Sequence, residues 1–214
     1  MTSKEDDNDN DNDNDNDNDN DNDNVYVSHD KSLMLVLKSR SIVIAGEITK
    51  DVSRLFQEKI LLLETLDFKK PIFVYIDSEG GDIDAGFAIF NMIRFVKPKV
   101  FTVGVGLVAS AAALIFLAAK LENRFSLPFA RYLLHQPLSG FKGVATDIEI
   151  YTNELNKVKK ELNNIISKET GQKISKIERD TDRDFWLDSD AAKKYGLVFE
   201  VVETKFQLEE FISS

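Results

Sequence analysis

The chain has 214 residues, 43% of them hydrophobic and 30% charged, enough for one globular domain or at most two small ones with a sizeable core; a fibre, a peptide and a wholly disordered protein are excluded. It contains no cysteine, so disulfides, thiolate nucleophiles and sulfur-ligated zinc are ruled out, and its two histidines, His29 and His135, leave no room for a histidine-rich metal site. The formal charge of -10 is local: of the 37 acids 11, and of the 27 bases one, fall in residues 1–24, leaving 26 of each in a neutral body with no basic footprint for nucleic acid.

Residues 7–24 alternate Asp and Asn, and residues 1–24 carry no apolar side chain after Met1. Such a stretch buries nothing that could offset the entropy of ordering, so disorder is expected. It lacks the apolar core of a secretory signal and the Arg/Ser-rich, acid-poor make-up of an organelle transit peptide. A solubility tail, a cleaved propeptide and a weak calcium sponge compete with a repeat expansion that has no function. The alternation lacks the glycine and closing glutamate of a calcium loop, which favours the last.

Beyond the tail, strands alternate with helices. Ser41 to Ala45 is a short apolar run stopped by Gly46, a buried-strand pattern. Thr49 then opens an amphipathic helix with apolar positions at Val52, Leu55, Phe56, Leu62, Leu63 and Leu66. Pro71 restarts an apolar run, Ile72 to Ile76, that ends in Asp77-Ser78-Glu79-Gly80-Gly81; a second helix follows through Ala85, Ala88, Ile89, Met92 and Ile93, broken by Lys97-Pro98. Val100 to Ala119 is 20 residues without a charge, long enough for a membrane span. Its first part is β-branched and its second alanine-rich, so a strand, Val100 to Val105, running into a buried small-residue helix, Ala109 to Ala119, explains it better. Short strands are expected near Arg124 to Leu127 and Arg131 to Leu134. The longest helix has a capping box at Thr146 and Glu149, apolar positions at Ile148, Tyr151, Leu155, Val158, Leu162 and Ile165, and a stop at Gly171. This order predicts an α/β fold in a single domain.

The chemistry starts at Ser110, which follows a strand and opens a helix among small residues. A serine there lies beside unpaired N–H groups and the positive end of the helix, where an oxyanion would be stabilised. On local sequence alone, a mere cap or small packing residue is the favoured reading. His135 lies at a strand exit, where α/β sheets usually bind ligands, and is the default base for a serine hydroxyl because His29 adjoins the tail. A third group must orient the imidazole, and the run Glu178 to Asp184 supplies several carboxylates among which spacing does not choose. The Gly80-Gly81 pair is where backbone could approach a substrate carbonyl.

Taken together, Gly80-Gly81 with Ala85-Gly86, Ala109-Ser110-Ala111, Leu127-Pro128 with Ala130-Arg131, His135-Gln136-Pro137, Ala145 to Ile150, Thr170-Gly171-Gln172, Arg179 to Asp184 and Tyr195-Gly196-Leu197 resemble, in the same order, the ClpP family, the proteolytic subunits of the caseinolytic protease. The resemblance covers about Arg40 to Val202. It implies the ClpP/crotonase-like spiral of repeated β-β-α units over residues 40–214, preceded by an axial-loop region at 25–39. It makes Ser110 the nucleophile, His135 the general base and Asp184 its orienter, with the backbone N–H groups of Gly81 and Ala111 as oxyanion hole. It implies two stacked seven-membered rings, homo- or hetero-oligomeric, that meet along the long helix, with Asp182 and Arg183 pairing across the junction. A Clp-type AAA+ unfoldase would dock in an apolar pocket matching Phe73, Tyr75, Val103, Val105, Phe125, Leu127 and Val202, although burial of one sheet face explains these residues equally well.

Unfolded proteins would be the substrates of this serine endopeptidase and the bacterial cytoplasm its location. ATP would be used by the partner, and no metal or organic cofactor, nucleic acid or membrane is implied. Two rivals are a non-catalytic structural ring subunit, against which the intact serine, histidine and aspartate speak, and a crotonase-type acyl-CoA enzyme on the same fold. The chain departs from the family pattern at Glu79, usually proline, and at Val144, usually glutamine, and the stretch up to Leu37 matches poorly.

Overall fold

The computed structural model describes Met34, residues 37–138 and residues 140–213. The Asp/Asn tail, most of the 25–39 region and His29 lie outside them. The chain divides into two compact units, Met1–Ser39 and Arg40–Ser214. In the first, Met34 and residues 37–39 are helical; everything below concerns the second.

Three strand-helix pairs come first: β1 (Ser41–Ile48), α1 (Lys50–Leu66), β2 (Ile72–Gly81), α2 (Ile83–Phe95), β3 (Val100–Ala109) and α3 (Ala111–Phe116). A 3-10 turn at Leu121–Asn123 leads into β4 (Arg124–Ser126) and β5 (Arg131–Leu134), followed by α4 (Ala145–Thr170), α5 (Ile174–Asp180), β6 (Phe185–Asp188), α6 (Ser189–Tyr195), β7 (Glu200–Val201) and α7 (Lys205–Ser213). The sheet runs β1-β2-β3-β4-β7, all parallel. β3 is shared: Thr102 to Gly104 pair with β4, whereas Leu107 to Ala109 pair with β5, which carries β6 antiparallel. The result is the expected α/β spiral. Ile44, Ile48, Ile60, Ile72, Ile76 and Ile89 are fully buried between the sheet and α1–α2, as parallel strands covered by helices require.

Several local expectations need correction. Gly46 does not end β1; it sits at φ 72 in a register shift between Ala45 and Glu47, and the strand continues to Ile48. A bulge and a stop both call for glycine at positive φ. β2 runs through Asp77 to Gly81, and β3 runs to Ala109, so the helix begins only at Ala111 and ends at Phe116. Thr49 caps α1 as expected, its side chain accepting from the Val52 N–H. Leu55, Leu62 and Leu66 are nevertheless exposed, and the buried stripe is Phe56, Ile60 and Leu63. The capping box at Thr146 and Glu149 does not form: both lie inside α4, whose N-cap is Val144, without a side-chain bond. Gly171, at φ 72, closes α4 in the left-handed conformation as the sequence indicated. The uncharged Val100–Ala119 stretch is a strand plus a helix, and among the described residues no helix is long and apolar enough to cross a membrane.

One buried cation ties the entry strand to the core. Arg40, 8% exposed, donates to the carbonyls of Pro71 (2.9 Å), Leu63 (3.0 Å), Asp67 (2.8 Å) and Lys70 (3.0 Å), while its own carbonyl accepts from Phe73 N–H. Arg40→Leu strips the α1–β2 turn of these donors and is expected to cost about 3 kcal/mol, which lowers the melting temperature by roughly 10 °C in thermal denaturation.

Candidate active site

Ser110 is the joint between β3 and α3, and its backbone is held from two sides. Its N–H donates to Leu133 O (3.0 Å) on β5, and its carbonyl accepts from Ala113 N–H (3.0 Å) and Leu114 N–H (3.3 Å). These bonds fix it at φ 57 and ψ -121, a region that a non-glycine side chain rarely enters. The hydroxyl makes no capping bond, so Ser110 is not there as an ordinary helix cap. A strained residue at a strand-to-helix corner presents its side chain outward, and backbone strain of this kind collects at functional positions. Ala111 and Ala112 occupy the first turn of α3, where a helix has no carbonyl of its own to offer their N–H groups.

Opposite lies the end of β2. Gly80 and Gly81 adopt φ 96 and 146, and a Cβ on Gly80 would fall 2.7 Å from Ser110 Cβ and 2.8 Å from Ala109 O. Only glycine lets this backbone pass against Ser110. Its N–H donates to the buried Ser78 Oγ (3.1 Å), and Asp82 N–H donates to Ile48 O (2.8 Å), so the chain is clamped on both sides of Gly81. The neighbouring β3 segment is set by Asp77, whose carboxylate accepts from Leu107 N–H at 2.8 Å.

His135 follows the last residue of β5, two positions beyond the Leu133 that holds Ser110, and its side chain is 13% exposed. Its Nδ1 lies 4.0 Å from Asp184 Oδ1, beyond hydrogen-bonding reach, and the Asp184 side chain is 64% exposed. The other carboxylates of the run are placed differently. Asp180 accepts from Lys176 Nζ (2.7 Å) and Tyr195 Oη (2.9 Å); burial raises its pKa, but these bonds and the lysine charge outweigh it and hold the carboxyl below its usual range. Glu178 is exposed, and Asp182 Oδ1 lies 3.9 Å from Lys159 Nζ. Among these acids, Asp184 is therefore the one beside the imidazole.

Sequence reasoning missed the brace that brings the imidazole and Asp184 together. Gln136 N–H donates to Thr181 O (2.7 Å), Gln136 Nε2 donates to Asp182 O (2.7 Å), and Lys159 Nζ on α4 donates to Gln136 Oε1 (2.7 Å). The buried Thr181 hydroxyl bonds Asn163 Oδ1 (3.0 Å), so α4, the β5 exit and the 181–184 turn form one unit. A glutamine after a histidine carries no local signal of this role.

Ser110 and His135 line one cavity of about 480 Å³, together with Glu79, Gly81 and Asp82. Its wall is apolar, from Ile83, Leu114, Leu134, Tyr151, Leu155 and Leu162. In the sequence, the α4 residues of this wall stand out only as a helix face. Asp182 and Arg183 are exposed and share the lining of a second cavity with His135 and Asp184. Of the expected docking residues, Val103, Phe125 and Val202 are buried in a cluster with Phe101 and Leu208, and Phe73, Tyr75 and Leu127 pack against it; Val105 is 38% exposed. Among the described residues no group of three or more His, Asp or Glu side chains could hold a metal ion.

Comparison with known proteins gives a consistent picture. A family model described as Clp protease matches residues 24–205. The chain is 96% identical over 188 residues to the ATP-dependent Clp protease proteolytic subunit 2 of Borreliella burgdorferi, covering 88% of this chain and 95% of that protein. It is 51% identical over 172 residues to the subunit of the same name from Treponema pallidum, covering 80% and 86%. Among solved structures it resembles a ClpP1 mutant from Listeria monocytogenes with a TM-score of 0.78 at 41% identity, covering 83% of this chain and 99% of that one.

Proposed function

The chain belongs to the Clp protease family, and from that premise we propose that it is a proteolytic subunit of an ATP-dependent Clp protease in which Ser110, His135 and Asp184 hydrolyse peptide bonds. The observation that carries this reading is the strained Ser110 at the head of α3, facing into the same cavity as the chain's one histidine outside the N-terminal region. With Nδ1 turned to Asp184, Nε2 is left for the hydroxyl. Ser110 Oγ attacks the peptide carbonyl as His135 takes its proton, and the N–H groups of Gly81 and Ala111 stabilise the oxyanion. His135 then delivers the proton to the leaving amine as the C–N bond breaks. Water, deprotonated by the same imidazole, cleaves the acyl ester and regenerates Ser110. Asp184 keeps the ring in the required tautomer and stabilises its cationic form.

The subunit would work inside two stacked seven-membered rings, homo- or hetero-oligomeric, in the bacterial cytoplasm, fed with unfolded protein by a Clp-type AAA+ unfoldase that itself uses the ATP. Exposed apolar residues favour burial between copies: Leu55, Leu62 and Leu66 on α1, and Val144, Ile148 and Ile150 at the start of α4. Exposed Asp182 and Arg183 are the proposed ring-junction pair. The apolar cluster around Phe125 is the proposed unfoldase-docking surface.

A fluorophosphonate probe followed by peptide mass mapping tests the chemistry. Modification of Ser110, absent in Ser110→Ala, is expected. An assembled particle left unlabelled would speak for a structural subunit or an acyl-CoA enzyme, neither of which needs a nucleophilic serine.

A further inference from the structure

The geometry points to Glu79 as a specificity-determining residue that favours peptides with a cationic side chain beside the scissile bond; this rests on Ser110 being the nucleophile. Among the described residues, the acidic side chains lining the cavity are Glu79 and Asp82, and no lysine or arginine lines it. Asp82 is committed locally, its Oδ1 accepting from Asp84 N–H (2.8 Å) and Ala85 N–H (3.0 Å) at the start of α2. Glu79 is exposed on the strand face opposite buried Ser78 and directly precedes the glycine that abuts Ser110. A backbone clamped at Ser78 and Asp82 thus holds an uncommitted carboxylate at the rim of an apolar cavity, next to where the reacting carbonyl must lie. The wall accepts an apolar side chain, and the rim adds a negative potential that draws a neighbouring Lys or Arg and repels Asp or Glu.

A charge pair at such a part-screened position is worth about tenfold in rate. The test uses the assembled particle and fluorogenic peptides with leucine before the scissile bond and Lys, Gln or Glu as its neighbour. Hydrolysis in the order Lys, Gln, Glu is expected, with a span of about tenfold that shrinks in Glu79→Gln and inverts in Glu79→Lys. An unchanged span in both variants would overturn the assignment while fluorophosphonate still labels Ser110. Failure of that labelling would instead overturn the nucleophile, and this inference with it.

A separate observation concerns α7. We infer that this helix is an intrachain cover on the unfoldase-docking cluster, a reading that rests on that cluster being the docking site. The family match ends at residue 205, where α7 begins. Leu208, 4% exposed, is buried among Phe101, Val103, Phe125 and Val202, Ile212 packs against the same cluster, and the Phe211 and Phe125 ring centroids are 5.8 Å apart. Gln207 Oε1 accepts from Glu203 N–H (2.7 Å) and Thr204 N–H (3.2 Å), which fixes the entry to the helix. A helix of nine residues has too little intrinsic stability to persist alone, so its order depends on the apolar seat it occupies. A partner inserting an apolar segment must displace it, and its apparent affinity falls by the fraction of subunits left uncovered.

Ending the chain after Thr204, or introducing Leu208→Glu, is therefore expected to tighten binding of a Clp-type unfoldase to the assembled particle about tenfold, measured by titration in ATP. Equal or weaker binding in both variants, with assembly intact by sedimentation, would overturn the cover. Tyr75→Asp tests the seat: if it leaves unfoldase binding unaffected, the docking surface lies elsewhere and the cover falls with it.

Discussion

Ser110→Ala is expected to reduce peptide hydrolysis on the order of a millionfold while leaving the subunit folded and assembled. The serine hydroxyl has no capping role to lose, and the backbone bonds that hold the corner, Ser110 N–H to Leu133 O and Ala113 N–H to Ser110 O, do not involve its side chain. Alanine at φ 57 keeps the same strain as serine. Activity therefore falls without the unfolding that usually confounds such a variant, and circular dichroism with sedimentation separates the two. Initial rates on a short peptide within a few fold of the parent would mean that another group makes the acyl bond.

Asp184→Asn carries the second large effect, a loss of about 10,000-fold in turnover with binding of the peptide little changed. An amide facing Nδ1 can donate to it, which leaves the proton on Nε2, the nitrogen that must accept from Ser110. Asp184 is well exposed and stands 4.0 Å from Nδ1, so its substitution disturbs little packing, and the loss would report on orientation of the imidazole rather than on stability. For Asp184 to orient the ring, this contact must close to hydrogen-bonding distance. Asp180→Asn is the contrasting variant: its carboxylate serves Lys176 and Tyr195, so it should lower the melting temperature more than it lowers turnover.

The sequence exposed the elements more readily than their junctions. Thr49, Lys97-Pro98 and Gly171 mark ends that the structure keeps, because a cap, a proline break and a left-handed glycine suit few backbone settings besides a helix terminus. Gly46 and the Ala109–Ala119 run were ambiguous for a physical reason: glycine suits a bulge as well as a stop, and small residues suit a strand end as well as a helix. Thr146 and Glu149 have the spacing of a capping box yet lie within the helix, since the chain was already turning at Ala145. At the candidate site, scarcity and position single out Ser110 and His135, which line one cavity. The choice among the carboxylates between Glu178 and Asp184 is not legible in the sequence, because it depends on Asp180 being taken by Tyr195 from α6 and on Gln136 tying the β5 exit to the 181–184 turn. Both are contacts between segments far apart in the chain. The apolar wall supplied by α4 was hidden likewise, since helical periodicity gives a face without saying what it covers.

The most direct measurement is a crystal structure of the assembled particle with a peptide phosphonate bound. The account predicts a covalent bond from Ser110 Oγ to phosphorus, the phosphoryl oxygen held by the N–H groups of Gly81 and Ala111, and the His135 ring hydrogen-bonded on one side to the adduct and on the other to Asp184. An adduct on another residue, or an imidazole turned away from Ser110 in a particle that hydrolyses peptides, would contradict it.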